Sequence, residues 1–118
     1  MTNVKELVYA KLKTILPEVS DAFPADWETP LQIQYTEEEN KSHERAGNIT
    51  TKSYVRYKVD IWSKTSTTDI AIEVDKALNE ELGLTRTACY DMNETDRKHK
   101  VMRYEGVVAE KSGKILGI

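Results

Sequence analysis

The run Ile49–Ser63 constrains the fold most strongly. Val55, Tyr57, Val59 and Ile61 alternate with Tyr54, Arg56, Lys58, Asp60 and Trp62. A period of two with β-branched and aromatic residues on one side is the signature of a strand with one buried face. Such a face must be covered, so the chain has to build a sheet and lay a second layer on it. Just upstream, Leu31, Ile33 and Tyr35 alternate with Gln32, Gln34 and Thr36, a shorter strand of the same kind. Between the two lies EEENKSHERAGN, residues 37–48, with four acidic residues, two basic residues and one histidine. Its composition predicts an exposed, mobile loop ordered only by a partner. Two strands flanking one polar loop predict a long antiparallel hairpin.

Two helices can supply the cover. Val4, Leu7, Val8, Leu12, Ile15 and Leu16 follow the i, i+3, i+4 spacing of one apolar stripe. Asn3 is placed to cap it, Glu6 sits at the capping-box position and Pro17 stops it. The second helix is predicted over 67–82, with Ser66 as N-cap and Asp69 three residues on. Its stripe is Ile70, Ala71, Val74, Ala77, Leu78 and Leu82, and Gly83 suits the left-handed position that closes a helix. Residues 17–30 hold all three prolines, which excludes a helix or a central strand there. Val19, Phe23 and Trp27 are expected to clip that connection to the core.

Two further strands are predicted. Residues 84–92 place Arg86, Ala88, Tyr90 and Met92 on one side, and 101–109 draw core residues from Val101, Met102, Tyr104, Val107 and Val108. Both faces of the last strand are partly apolar, which predicts a central position. Residues 91–100 read as a polar turn. The ending KILGI is apolar and is expected to dock on this chain or on a neighbour. The expected architecture is one α+β domain over 1–118: an antiparallel sheet with a long hairpin and two helices packed on one face, in the order α-β-β-α-β-β.

With 118 residues the chain can bury a core without staples, and 5 Gly and 3 Pro exclude collagen-like or low-complexity structure. One cysteine rules out an internal disulfide and a Cys-rich zinc site. No membrane-length apolar run and no signal-peptide core is present, so the chain reads as soluble and made in a cytoplasm. The net charge of −3 excludes a bulk phosphate binder. The charge is uneven: residues 1–96 carry eleven Lys/Arg against eighteen Asp/Glu, and residues 97–118 carry six against two. Opposite signs at two ends suit head-to-tail stacking or a nucleic-acid tail, and also arise by chance.

Few constellations could carry chemistry. His43 and Glu44 are adjacent and do not converge on a metal without further ligands. Asp91, Glu94, Asp96 and His99 could hold a hard cation, and Asp91, Asp96 and His99 define a small metal-dependent hydrolase as one alternative. The calcium-loop glycine is missing, and turns favour Asp and Asn for backbone reasons. Cys89 lies mid-strand without a neighbouring base and reads as a buried small hydrophobe. Asn48 and Asn93 begin glycosylation-like triplets that carry no meaning without secretion. Tyr54, Arg56, Lys58 and Trp62 share a strand face, aromatic at both ends and basic between, which is the second alternative, a platform for single-stranded nucleic acid. Asp60 in the same row opposes it.

The run Pro30-Leu31-Gln32-Ile33-Gln34-Tyr35 followed by Tyr57-Lys58-Val59-Asp60-Ile61-Trp62-Ser63 resembles the small neck proteins of tailed phages, the tail terminator or tail-completion family. The shared pattern is an opening helix, a proline-led strand, a strand ending in a Trp-Ser phrase, here Val59-Asp60-Ile61-Trp62-Ser63, a helix closed by Leu82 and Gly83, and two strands, over most of residues 4–108. The resemblance implies a non-enzymatic virion protein made in a bacterial host. It implies a homohexameric ring that caps the tail tube and joins it to the head connector or an adjacent neck protein. It implies no cofactor, metal, membrane or small-molecule substrate. The chain departs from the pattern in the acidic 37–48 stretch and the KILGI tail. These supply the residues expected at an assembly interface: Glu37, Glu38, Glu39, His43, Glu44, Arg45, Lys111, Lys114, Ile115, Leu116 and Ile118. Trp62 and Gly83 are expected to be structural, with Trp62 substantially buried.

Overall fold

The hairpin forms as the alternation requires, and it is longer than expected. In the computed structural model, which describes residues 1–21, 29–92 and 96–118, β2 (Leu31–Ala46) pairs antiparallel with β3 (Ile49–Ser63). The stretch expected to be a mobile loop is therefore strand, and only Gly47 and Asn48 turn the chain. Gly47 adopts φ +64, the left-handed conformation that a tight turn demands and glycine adopts without strain. The polar stretch pairs because its partner strand carries matching residues. Glu39 lies opposite Arg56, Lys41 opposite Tyr54, Ser42 opposite Ser53 and Glu44 opposite Lys52. The Arg56 guanidinium is 3.2 Å from Glu39 and Lys52 is 3.3 Å from Glu44. Cross-strand pairs of this kind each stabilise a sheet by about 0.2–1 kcal/mol, and no apolar pattern announces them. Three register shifts, between Glu37 and Arg45, bend this part of β2.

The element order is α1 (Val4–Lys13), β1 (Val19–Asp21), β2, β3, α2 (Thr68–Asp75), β4 (Thr85–Met92), β5 (Lys98–Ala109) and β6 (Ile115–Leu116). The fold is α+β, with a six-stranded sheet and two helices. Two short strands add to the expected order. β1 pairs parallel with β2, so the sheet is not wholly antiparallel, and β6 pairs with the end of β5. The sheet order is β1-β2-β3-β5-β4, which puts β5 in the interior as its two apolar faces predicted. β1 shows that the proline-rich segment does reach the sheet, at an edge. Phe23 and Trp27 lie outside the described residues.

One cluster forms the core. It joins Ile33 and Tyr35 of β2, Val55, Tyr57, Val59 and Ile61 of β3, and Met102, Tyr104 and Val108 of β5. Val4, Val8 and Leu12 of α1 and Ala71, Val74 and Leu78 of the second helix complete it, so both helices cover the same sheet face. Each fully buried aliphatic side chain contributes about 1.5–3 kcal/mol. Leu7, placed in the stripe by its spacing, is 41% exposed. Asn3 caps α1 through a bond from the Glu6 amide, 3.2 Å. The cap of α2 differs from expectation: Thr67 is the N-cap residue, and the Ser66 hydroxyl accepts from the Thr68 amide at 3.3 Å. After Asp75 the helix continues as a π-helix over Lys76–Glu81, and Gly83 at φ +93 ends it. Among the described residues no helix is long and apolar enough to cross a membrane.

The basic C-terminal fifth is not one patch. Lys98 lies opposite Ser63 and Ala109 opposite Lys52 along β5. Arg97, Lys98 and Lys100 therefore sit at one end of the sheet, and Lys111 and Lys114 follow the other end, about 36 Å away at ~3.3 Å per strand residue.

Candidate functional site

The sheet face away from the helices gathers most of the residues singled out above. Even-numbered residues of β3 point to it, together with Gln32 and Gln34 of β2 and His99, Val101 and Arg103 of β5. Tyr54, Arg56, Lys58 and Trp62 share this face, as their spacing predicted. The structure adds carboxylates to every cation among them. Glu38 accepts from both Arg56, at 3.3 Å, and Arg103, at 3.0 Å. Lys58 lies 3.7 Å from Asp60. The Lys41 ammonium sits 5.1 Å from the centre of the Tyr54 ring, and the Tyr54 hydroxyl donates to Glu105. Hydroxyls of Thr87 and Tyr54 hold the Glu105 carboxyl below its ordinary range. A phosphate backbone laid here would meet Glu38, Glu39, Asp60 and Glu105 and would have to displace them from their cations.

Trp62 is partly buried, on the face away from the two helices. Its indole stacks on the His99 ring, centroids 3.7 Å apart and planes 10° apart, and its Nε1 donates to Gln34 Oε1 at 2.9 Å. His99 Nε2 is 2.7 Å from Asp60 Oδ1, and both side chains are more than nine-tenths buried. Gln34, Asp60, Trp62 and His99 thus form one polar cluster spanning three neighbouring strands. Sequence reasoning missed it, since register alone brings Asp60 and Trp62 beside His99. The one signal was an acidic residue in an otherwise basic and aromatic row.

The hydrolase constellation is not assembled. His99 is turned to Asp60. Asp91 is paired with Lys100 at 2.9 Å on the opposite sheet face, with 73% of its side chain exposed. Asp96 is exposed and Glu94 lies outside the described residues. Among the described residues no three His, Cys, Asp or Glu side chains converge as a metal site. A cleft of about 500 Å³ does open between residues 65–68, before α2, and Asp91, Met92, Arg97, Lys98 and His99. Arg97 lines the cleft and donates through one nitrogen to the Thr29 carbonyl. No nucleophile–base pair lies in it within hydrogen-bond distance among the described residues.

The expected assembly residues divide. Glu37 accepts from Tyr57 at 3.3 Å, and Glu38 and Glu39 bind arginines of their own sheet. Ile115 packs against the core and Leu116 pairs with Val107, so the tail docks on its own chain. Burial pushes the Tyr57 and Tyr104 phenols well above their ordinary value, with Glu37 and Asp75 adding to it, so both remain donors. His43, Glu44 and Arg45 remain exposed near the hairpin tip, as do Lys111, Lys114 and Ile118 at the tail. Ile49, not singled out by its sequence, is 71% exposed beside the turn. Cys89, expected in the core, is exposed, because β4 forms the sheet edge and its helix-side residues extend past the cover. A further correction concerns the same strand: a bulge between Arg86 and Ala88 turns Arg86 to the helix side while Ala88, Tyr90 and Met92 face the other way. Compared with known proteins, the chain matches no family model and no curated protein sequence.

Proposed function

We propose that the protein is a non-enzymatic joining piece of a phage or phage-derived tail: a ring, hexameric in the assembled particle, that caps the tail tube and meets the head connector or an adjacent neck protein. The observation that carries this reading is the long sheet. The chain measures 51 × 24 × 23 Å, and its hairpin runs past the end of β5 to a tip bearing the exposed Ile49. A lever of this form reaches an axial neighbour while the body contacts its copies around a ring. The order of helix, proline-led strand, Trp-Ser strand, helix and two strands supports the same assignment. The open face supports it indirectly, because Glu38, Glu39, Asp60 and Glu105 neutralise the platform that nucleic acid would need. A ring requires a heterologous contact between two different patches with a rotation that closes. Tail-tube protein polymerised and sheared to different mean lengths tests the reading by cosedimentation. Bound protein should scale with the number of tube ends at constant tube mass. Binding that scales with tube mass, or no binding, rejects it.

A further inference from the structure

Among the described residues, the edge of β4 is the least protected part of the sheet. The opposite margin is blunted: β1 covers residues 33–35 of β2, and the rest of β2 carries register shifts and charges. β4 ends the sheet on its side, and six of its eight residues are exposed. These include Cys89, Tyr90 at 41% and Met92 at 44%. An edge of this kind is a template for another strand.

We propose that a second copy of this chain occupies it, through antiparallel pairing of β4 with β4 about a two-fold axis. The argument is the self-complementarity of the strand. Residues of β4 take their faces from β5: Arg86, Cys89 and Asp91 lie opposite Tyr104, Met102 and Lys100, on the helix side. Ala88 and Tyr90 lie opposite Arg103 and Val101, on the other side. Directly opposed residues in an antiparallel pair share a face. With Cys89 on the axis, Arg86 falls opposite Asp91 of the second copy, and Asp91 opposite its Arg86. Arg86 pairs with Asp75 of its own chain at 3.2 Å, and Asp91 with its own Lys100 at 2.9 Å, so each crossing joins two in-chain pairs into one row of alternating charge, Asp75–Arg86–Asp91–Lys100. Ala88 falls opposite Tyr90, small against large, and Cys89 meets Cys89. Every pair then lies on a common face. This holds only because of the bulge at Thr87; in a regular strand Arg86 and Asp91, five residues apart, would lie on opposite faces. The paired length ends at Arg86, since the Ile118 amide bonds the Thr85 hydroxyl at 3.1 Å and the end of the tail lies against the strand there.

The contact is isologous and closes at two copies. It differs from the heterologous contact of a ring and stands whether or not the ring does. It describes the chain in free solution.

Cys89 reports the register directly. Opposed Cα atoms in an antiparallel pair are about 4.5–5.5 Å apart, within the range a disulfide spans. Diamide, which takes up the two hydrogens of a thiol pair, should convert the native protein to a disulfide-linked dimer, and Cys89→Ser should give none. Reduced protein should show twice the 13.5 kDa monomer mass as concentration rises. Asp91→Lys, at an exposed position, should weaken dimerisation about tenfold by setting lysine against arginine twice, and adding Arg86→Glu should restore it. A monomer mass up to the solubility limit overturns the proposal. So does Cys89 cross-linking no faster than in urea, or a double variant no stronger than Asp91→Lys alone.

Discussion

The Trp62 indole lies flat on the His99 imidazole, 3.7 Å between centroids, while His99 Nε2 reaches Asp60 at 2.7 Å. Three strands meet in this contact, on the face away from the two helices. Trp62→Ala should cost about 2–3 kcal/mol, below the roughly 3–5 of a fully buried tryptophan, since part of the ring is in water. Trp62→Phe keeps a stacking ring and loses the bond to Gln34, and about 1 kcal/mol is expected. Asp60→Ala should cost about 1–3 kcal/mol by leaving a buried imidazole nitrogen without its carboxylate. Urea unfolding measures all three, and an unchanged midpoint for Trp62→Ala would contradict the structural role.

Glu110 ties the amino-terminal end of the chain to the sheet. It accepts from the Ser53 hydroxyl, from Thr2 at 3.0 Å and from the amino terminus at 3.2 Å. The bond from Ser53, joined by the amino terminus and Thr2, lowers its pKa below the ordinary 4.5. A lowered folded-state value means that its stabilisation is present above about pH 4.5 and is lost as pH falls through the lower folded value. Glu110→Gln should therefore be less stable than wild type at neutral pH and converge with it in acid. Parallel urea titrations across the acid range would show a gap that closes; a gap independent of pH would contradict the account.

The hairpin turn is set by Gly47. No atom lies within 4 Å of a Cβ added there, so the penalty of substitution is conformational. Gly47→Val should cost about 1–2 kcal/mol and Gly47→Asn well under half of that, because asparagine tolerates the left-handed region. Amide exchange should slow along residues 39–46 in wild type and quicken in the valine variant. Rapid exchange throughout that stretch in wild type would restore the mobile-loop expectation.

Gly106 tests the seat of the tail. A Cβ there would meet Leu84 Cδ2 at 2.9 Å and Ile115 Cγ2 at 3.3 Å. Gly106→Ala should lift β6 from β5 and cost about 1–3 kcal/mol, with faster proteolysis after Lys114 as the local readout.

Much of this was legible in the sequence because burial imposes periodicity. The β3 alternation, the α1 stripe and Gly83 each carry a physical requirement that composition displays. What stayed hidden depends on partners distant in sequence. Residues 39–46 look like a loop because their strand character comes from Arg56, Tyr54 and Lys52 across the hairpin. The Asp60–His99 pair needs the β3–β5 register. The exposure of Cys89 needs the knowledge that β4 is an edge. The Thr87 bulge, which reverses Arg86, leaves no periodic trace in eight residues.

The central claim is tested most directly by electron microscopy of polymerised tail tubes from the same source, mixed with the wild-type protein and with Ile49→Asp, whose exposed position leaves the fold intact. The account predicts ring-shaped caps confined to one end of each tube with wild type and bare ends with the variant. Decoration along the tube walls, caps on both ends alike, or bare ends with wild-type protein at every concentration would contradict it.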